Sequence, residues 1–177
     1  HSALLASGRI GDPYWRDTET SLDWIHATVW VAEKTFHLES VGDAHYTLRF
    51  DSIDCLAEVS INGRKAGFCE SQFLRQDLDV TDLLQPGANR IAVRFLSNTA
   101  EGRKMAEASA IPTPYMAANS RIGHLNFLRK TQCHGGWDWN IALSPLGFYG
   151  DISLVRTGSL RLDDVAIRQR HGEDTVD

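Results

Sequence analysis

The stretch Gly135-Gly136-Trp137-Asp138-Trp139-Asn140 places two indoles and a carboxylate directly after the most permissive dipeptide available. That combination suits a sugar. The apolar C–H face of a pyranose packs on an indole, while one carboxylate accepts charge-assisted hydrogen bonds from two neighbouring hydroxyls. In an extended run Trp137 and Trp139 would face one way and Asp138 the other. The same residues also suit a packing role, with the tryptophans plugging the open end of a sandwich and Asp138 capping a turn. Pattern alone leaves both open. Arg129, Lys130, Gln132, His134 and Asn140 lie close in sequence and supply hydrogen-bonding groups, either to a ligand or to a solvated rim.

Other chemistries find less support. Glycoside cleavage needs two carboxyl groups roughly 5–5.5 Å or 6.5–9.5 Å apart, one of them with a raised pKa. The acidic clusters Asp51/Asp54, Asp77/Asp79/Asp82 and Asp163/Asp164 fall at expected strand ends and turns, where Asp bonds locally. No catalytic pair is expected. Gly-x-Ser-x-Gly and His-Glu-x-x-His are both missing, and the glycines of Asn62-Gly63-Arg64 belong to a hairpin rather than a phosphate loop. Cys133 and His134 are neighbours, and neighbours in an extended chain point apart. Neither a metal site nor any cofactor is expected.

The elements that must position these residues read as strands. His45–Phe50 alternates strictly, with Tyr46, Leu48 and Phe50 on one face. Ala57, Val59 and Ile61 repeat the period, and Asn62-Gly63 then supplies the positive φ of a type I′ turn. A return strand follows through Lys65–Phe68. Ile91, Val93 and Phe95 form a third inward row, introduced by a short helical turn near Leu83-Leu84 and a Pro86-Gly87 turn. Asp151–Thr157 and Leu160–Arg170 are both strand-like. A short helix is expected near Thr20–Ile25 before a strand at Ala27–Phe36, and helix formers gather at Glu101–Ala108. The stretch Thr99–Leu128, with Ile111–Met116 inside it, has no clear period and reads as a functional connection.

The 177 residues make one domain with a short overhang, long enough to bury a core. The net charge of −5 with dispersed arginines (Arg9, Arg16, Arg49, Arg64, Arg94, Arg103) argues against a nucleic-acid partner. No run nears the ~18 apolar residues of a membrane helix, so no membrane partner is expected. Three cysteines, Cys55, Cys69 and Cys133, make a disulfide framework unexpected, though a Cys55–Cys69 bridge stays open. Without a sequon, reduced thiols favour a bacterial cytoplasm over a periplasmic or secreted home. The chain opens on His1 and is expected to be truncated or processed, so that targeting cannot be read.

The fold class expected is all-β: a jelly-roll sandwich with short helical segments, over residues 1–158. Residues 159–177 read as the first strand of a following domain.

Five segments together resemble the N-terminal sugar-binding domain of the β-mannosidases of glycoside hydrolase family two. They are LLASGRIGDPYWRDTE, LDWIHATVWVAEKTF, LRFDSIDCLAEVSINGRKAG, DVTDLLQPGANRIAVRF and RKTQCHGGWDWN. The fourth is shared by the wider family, whereas the last is more characteristic of the mannosidase branch. The resemblance runs from about Leu4 to Thr157. It implies a galactose-binding-like jelly roll, followed in relatives by immunoglobulin-like sandwiches and a barrel that carries both catalytic glutamates.

The acid/base glutamate of that family follows an asparagine, and no Asn-Glu dipeptide occurs here. Catalytic residues are therefore not expected in this chain. The resemblance implies that Asp138, with Trp137 beside it, reaches the barrel's glycon subsite and bonds hydroxyls of a terminal mannose. The partners implied are a β-mannoside glycan and the barrel domain of the same parent. Trp139, Arg129, His134 and Asn140 are secondary candidates. Gly135 and Asn140-Ile141 depart from the bulky aromatic and the proline common in relatives, which leaves the path of the loop open. Relatives also carry a strand before the position of His1, so the first strand of the jelly roll is expected to be missing. Two alternatives compete: a free-standing carbohydrate-binding module, and a structural spacer that would bury both Trp137 and Asp138.

Overall fold

The computed structural model describes residues 1–114, 121–158, 160, 162 and 164–176. Among the described residues seven strands form two antiparallel sheets: β1 (Trp30–Leu38), β2 (His45–Asp54), β3 (Ala57–Ile61), β4 (Arg64–Cys69), β5 (Gln76–Asp79), β6 (Gly87–Phe95) and β7 (Gly147–Thr157). One sheet runs β1-β6-β3-β4 and the other β5-β2-β7. The result is the expected all-β sandwich.

The period-2 rows explain why the sheets face each other. Tyr46, Leu48 and Phe50 of β2, Val59 and Ile61 of β3, and Ile91, Val93 and Phe95 of β6 are all buried in one cluster. Phe50 is fully buried, which contributes about 1.5–3 kcal/mol. It stacks on Phe148 at 5.9 Å, and Phe148 meets Phe95 edge-on at 5.1 Å. Asn62 and Gly63 adopt φ of 52° and 77°, the expected type I′ turn between β3 and β4. The Asn62 amide also donates to Leu83 O and Asn89 Oδ1, which ties the hairpin to the turn before β6.

Several boundaries differ from the sequence reading. The helix expected at Thr20–Ile25 is two pieces, a 3-10 turn at Thr18–Ser21 and a helix at Asp23–Ala27, and β1 begins only at Trp30. The helical turn before β6 is Thr81–Leu83, with Asp79 accepting from the Thr81 amide. The helix Asn98–Ala108 forms as expected, with Ser97 Oγ accepting from the Ala100 amide as its cap. Tyr115 and Met116 of the Ile111–Met116 stretch lie outside the described residues. The Leu160–Arg170 strand is not present among the described residues, where the one pairing after Thr157 is an isolated bridge, His171 to Val176. A lone strand has no partner here to satisfy its backbone. Cys55, Cys69 and Cys133 are all free thiols.

A second apolar cluster sits beyond the end of the sandwich. Cys55, Leu56, Ile122, Leu125, Leu128 and Ala142 bury one another there, with Leu96 against them. This gives the long connection after β6 a core of its own, and it is the platform on which the aromatic loop is built.

Candidate functional site

The loop rises from Lys130 and returns at Pro145. Its ascending side is a 3-10 turn, Gln132–Gly135. Gln132, expected as a possible ligand donor, instead gives its amide to the carbonyls of Leu125, Leu128 and Lys130. Thr131 bonds Gln72 Oε1 through both its amide and its hydroxyl. Gly135 O accepts from the amides of Arg121 and Ile122. Gly136 follows at φ 106°, ψ 155°, a conformation that glycine tolerates and other residues avoid. The two glycines are buried, so their role is close packing and a change of direction rather than looseness.

Beyond them the chain does not run extended. Trp137 N donates to Asn140 O at 2.9 Å, and Asn140 N donates back to Trp137 O at 3.3 Å. Asp138 and Trp139 therefore form the tip of a tight turn, which replaces the expected alternation of two indoles against one carboxylate. The rings of Trp137 and Trp139 sit 6.4 Å apart, tilted by 45°. They do not plug the sandwich, because Trp137 is 38% and Trp139 70% exposed. Asp138 is exposed and has no hydrogen-bond or ion-pair partner among the described residues. A spacer reading requires Trp137 and Asp138 to be buried within the domain, and both are exposed.

The other candidates separate. Asn140 is half-buried and gives its amide to Cys133 O at 3.0 Å, which braces the turn. Arg129 is exposed beside Phe73 and Thr131, around a different hollow. Trp139, Asn140 and His134 share a cavity of about 600 Å³ with Asp12, Tyr14, Phe148 and Tyr149. That volume falls in the usual range of small-ligand sites. Trp137 and Asp138 are outside its lining.

Lys130 corrects the sequence reading most. It is 1% exposed rather than a rim residue, and its ammonium bonds Asp54 Oδ2 at 3.1 Å, Ser144 Oγ at 3.0 Å and Pro145 O at 2.8 Å. Asp54, expected to bond locally at a strand end, is fully buried as the counter-charge. Burial pushes the Asp54 carboxyl up and the Lys130 amine down, and the attraction between the two charges opposes each shift. His134 lies 3.9 Å from Asp54, too far for a hydrogen bond. Burial, and secondarily the Lys130 charge, lowers the imidazole to about 4, so His134 is neutral near neutral pH. Neither Lys130 nor Asp54 was singled out by motif. No local signal marks the pair: the pairing register shifts between Phe50 and Ser52, and Ile53 rather than Ser52 rejoins the buried row, so the alternation of β2 does not carry through to Asp54. Among the described residues no cluster of His, Cys, Asp and Glu could hold a metal ion.

This architecture has relatives. A family model described as "Glycosyl hydrolase 2 galactose-binding domain-like" matches residues 1–150. A probable beta-mannosidase of Caenorhabditis elegans is 30% identical over 163 residues, covering 87% of this chain and 18% of the relative. The beta-mannosidase of Bos taurus is 31% identical with the same coverage of 87% and 18%. The crystal structure of a beta-D-mannosidase from Dictyoglomus thermophilum superposes with a TM-score of 0.88 at 27% identity, over 98% of this chain and 21% of that one. The chain thus spans about a fifth of the length of the relatives it matches. By the extent of these matches, the chain belongs to the galactose-binding-domain-like family of glycosyl hydrolase 2 proteins.

Proposed function

We propose that this chain is the N-terminal, non-catalytic sugar-binding domain of a retaining β-mannosidase, in which Trp137 and Asp138 complete the glycon subsite of a barrel domain. The observation that carries the reading is the exposed Trp137–Asn140 turn, which presents a carboxylate without a partner beside two solvent-facing indoles. A carboxylate left free by its own domain is available to two adjacent hydroxyls, and an indole offers the matching apolar wall. Trp139, His134 and Asn140 border the neighbouring cavity, and Arg129 borders a different hollow. The substrate class is a terminal β-mannoside, by likeness to the mannosidase relatives.

The test is kinetic, in the full-length parent. Asp138→Ala is expected to lower kcat/KM on an aryl β-mannoside by about 30- to 150-fold, the equivalent of ~2–3 kcal/mol for a charge-assisted bond. Unchanged kinetics would remove Asp138 from the subsite. This chain alone is expected to release no mannose and to bind mannosides only at about millimolar levels, because half a pocket buries too little of the ligand. Tight binding by the chain alone would favour a free-standing module instead.

A further inference from the structure

We propose that the buried Lys130–Asp54 pair is the positioning device of the site, clamping both stems of the aromatic loop to the end of β2 so that the Asp138 turn is held in one orientation. The inference rests on the role of Asp138 proposed above, and it concerns how that carboxylate is aimed.

The geometry is that of a clamp. Lys130 stands on the ascending stem. Its ammonium reaches Ser144 Oγ and Pro145 O on the descending stem and Asp54 at the end of β2. Ser144 is itself held from the opposite side by the Asn98 amide at 2.9 Å, which links the loop to the start of the Asn98–Ala108 helix. One cation therefore joins three separate pieces of chain, with Lys130, Asp54 and Ser144 each 1% exposed or less.

Stability alone is a poor reason for such a pair. Desolvating two charges costs several kcal/mol per ion, and well-packed apolar residues commonly serve as well or better. A buried charge pair does, however, favour a single arrangement, because any other leaves a charge without its counter-charge. Other bonds also hold the base of the loop: Thr131 on Gln72, Gly135 O on the Arg121 and Ile122 amides, Asn140 on Cys133 O, and Ala142 N on Glu19 Oε2. What Lys130 adds is a join between both stems and the end of β2. The Trp137–Asn140 turn closes across those stems at an exposed tip, so its two backbone bonds hold best while the stems stay together. Lys130 touches no ligand in this scheme. It acts through the loop.

The test uses the full-length parent with both charges removed together, Lys130→Met with Asp54→Leu, so that neither is orphaned. The expected result has three parts. Amide exchange at Trp137 and Asn140 quickens by about tenfold or more while the β2 and β6 amides keep their protection. The value of kcat/KM falls by about tenfold or more. Adding Asp138→Ala then costs nothing further, because a misaimed carboxylate has already been lost. Ser144→Ala, which removes one of the clamp's two bonds to the descending stem and leaves the one to Pro145 O, gives a smaller quickening of the same exchange should the double variant fail to fold. Unchanged exchange at Trp137 and Asn140 in a folded variant overturns the proposal, as do losses that multiply with Asp138→Ala. If Asp138→Ala alone is inert, the glycon reading fails, while faster exchange at the turn still supports the clamp.

Discussion

His134 sits where burial and charge act on it together, half-buried beside Lys130 and lowered to about 4. An unfolded chain would titrate the same imidazole near 6.5, so between about pH 6.5 and 4 the unfolded state binds more protons than the folded one. Stability is therefore whole above pH 6.5 and is lost as the pH falls toward 4. Asp54, whose carboxyl is pushed up, contributes with the opposite sign just above the ordinary carboxylate range. Comparing the protein with His134→Gln isolates the histidine: urea midpoints taken from pH 7 to 4.5 are expected to fall less steeply in the variant. Equal slopes would mean that the imidazole is already solvated in the folded state. At this scale the sequence was legible only in part. Trp137, Asp138 and Trp139 stood out by type, but their arrangement did not, because it depends on the positive φ of Gly136 and on the Gly135 carbonyl, which accepts from the amides of Arg121 and Ile122. Lys130 and Asp54 were opaque for a related reason: the partners are far apart in the chain, and only the fold brings their charges together.

The helix Asn98–Ala108 tests how tightly the site's platform is packed. Gly102 is buried on it, and a Cβ at that position would lie 2.7 Å from His124 O. Two effects compete in Gly102→Ala. Helix propensity favours alanine by about 1 kcal/mol, whereas overpacking a tight contact costs about 1–3 kcal/mol. The clash is with a backbone carbonyl, which cannot swing aside as a side-chain tip would, so the cost prevails. A lowered urea midpoint is expected, together with weakened packing of the Leu125–Phe127 turn against the helix. A raised midpoint would show that the backbone at His124 yields easily. The elements most legible in the sequence, β2, β3, β6 and the Asn62-Gly63 turn, are those with a strict period or a turn that needs positive φ. The connection from the Asn98–Ala108 helix to β7 has neither. Its order comes from tertiary apolar contacts of Ile122, Leu125, Leu128 and Ala142, which no local window displays.

Across the whole molecule, the apolar residues that the sandwich does not use say most about the parent. Past Thr157 the side chains of Leu160, Leu162, Val165 and Ile167 are 92%, 89%, 71% and 83% exposed. Four such residues in a short span are not a solvated tail by composition, and burying each contributes about 1.5–3 kcal/mol. Residues 159–177 are therefore proposed to be the opening strand of a following domain, consistent with a chain that spans about a fifth of its relatives. Two variants separate this from a role inside the sandwich. Ending the chain at Gly158 is expected to leave its urea midpoint unchanged, because β7 keeps its full pairing with β2 through His45 and Thr157. Val165→Asp with Ile167→Asp in the full-length parent is expected to destabilise it by several kcal/mol, since two residues apart in a strand they share the face that would be buried against the next domain's sheet. A truncation that lowers the sandwich midpoint would instead assign the segment to this domain. A parent indifferent to the two aspartates would leave those side chains at its surface and remove the strand reading altogether.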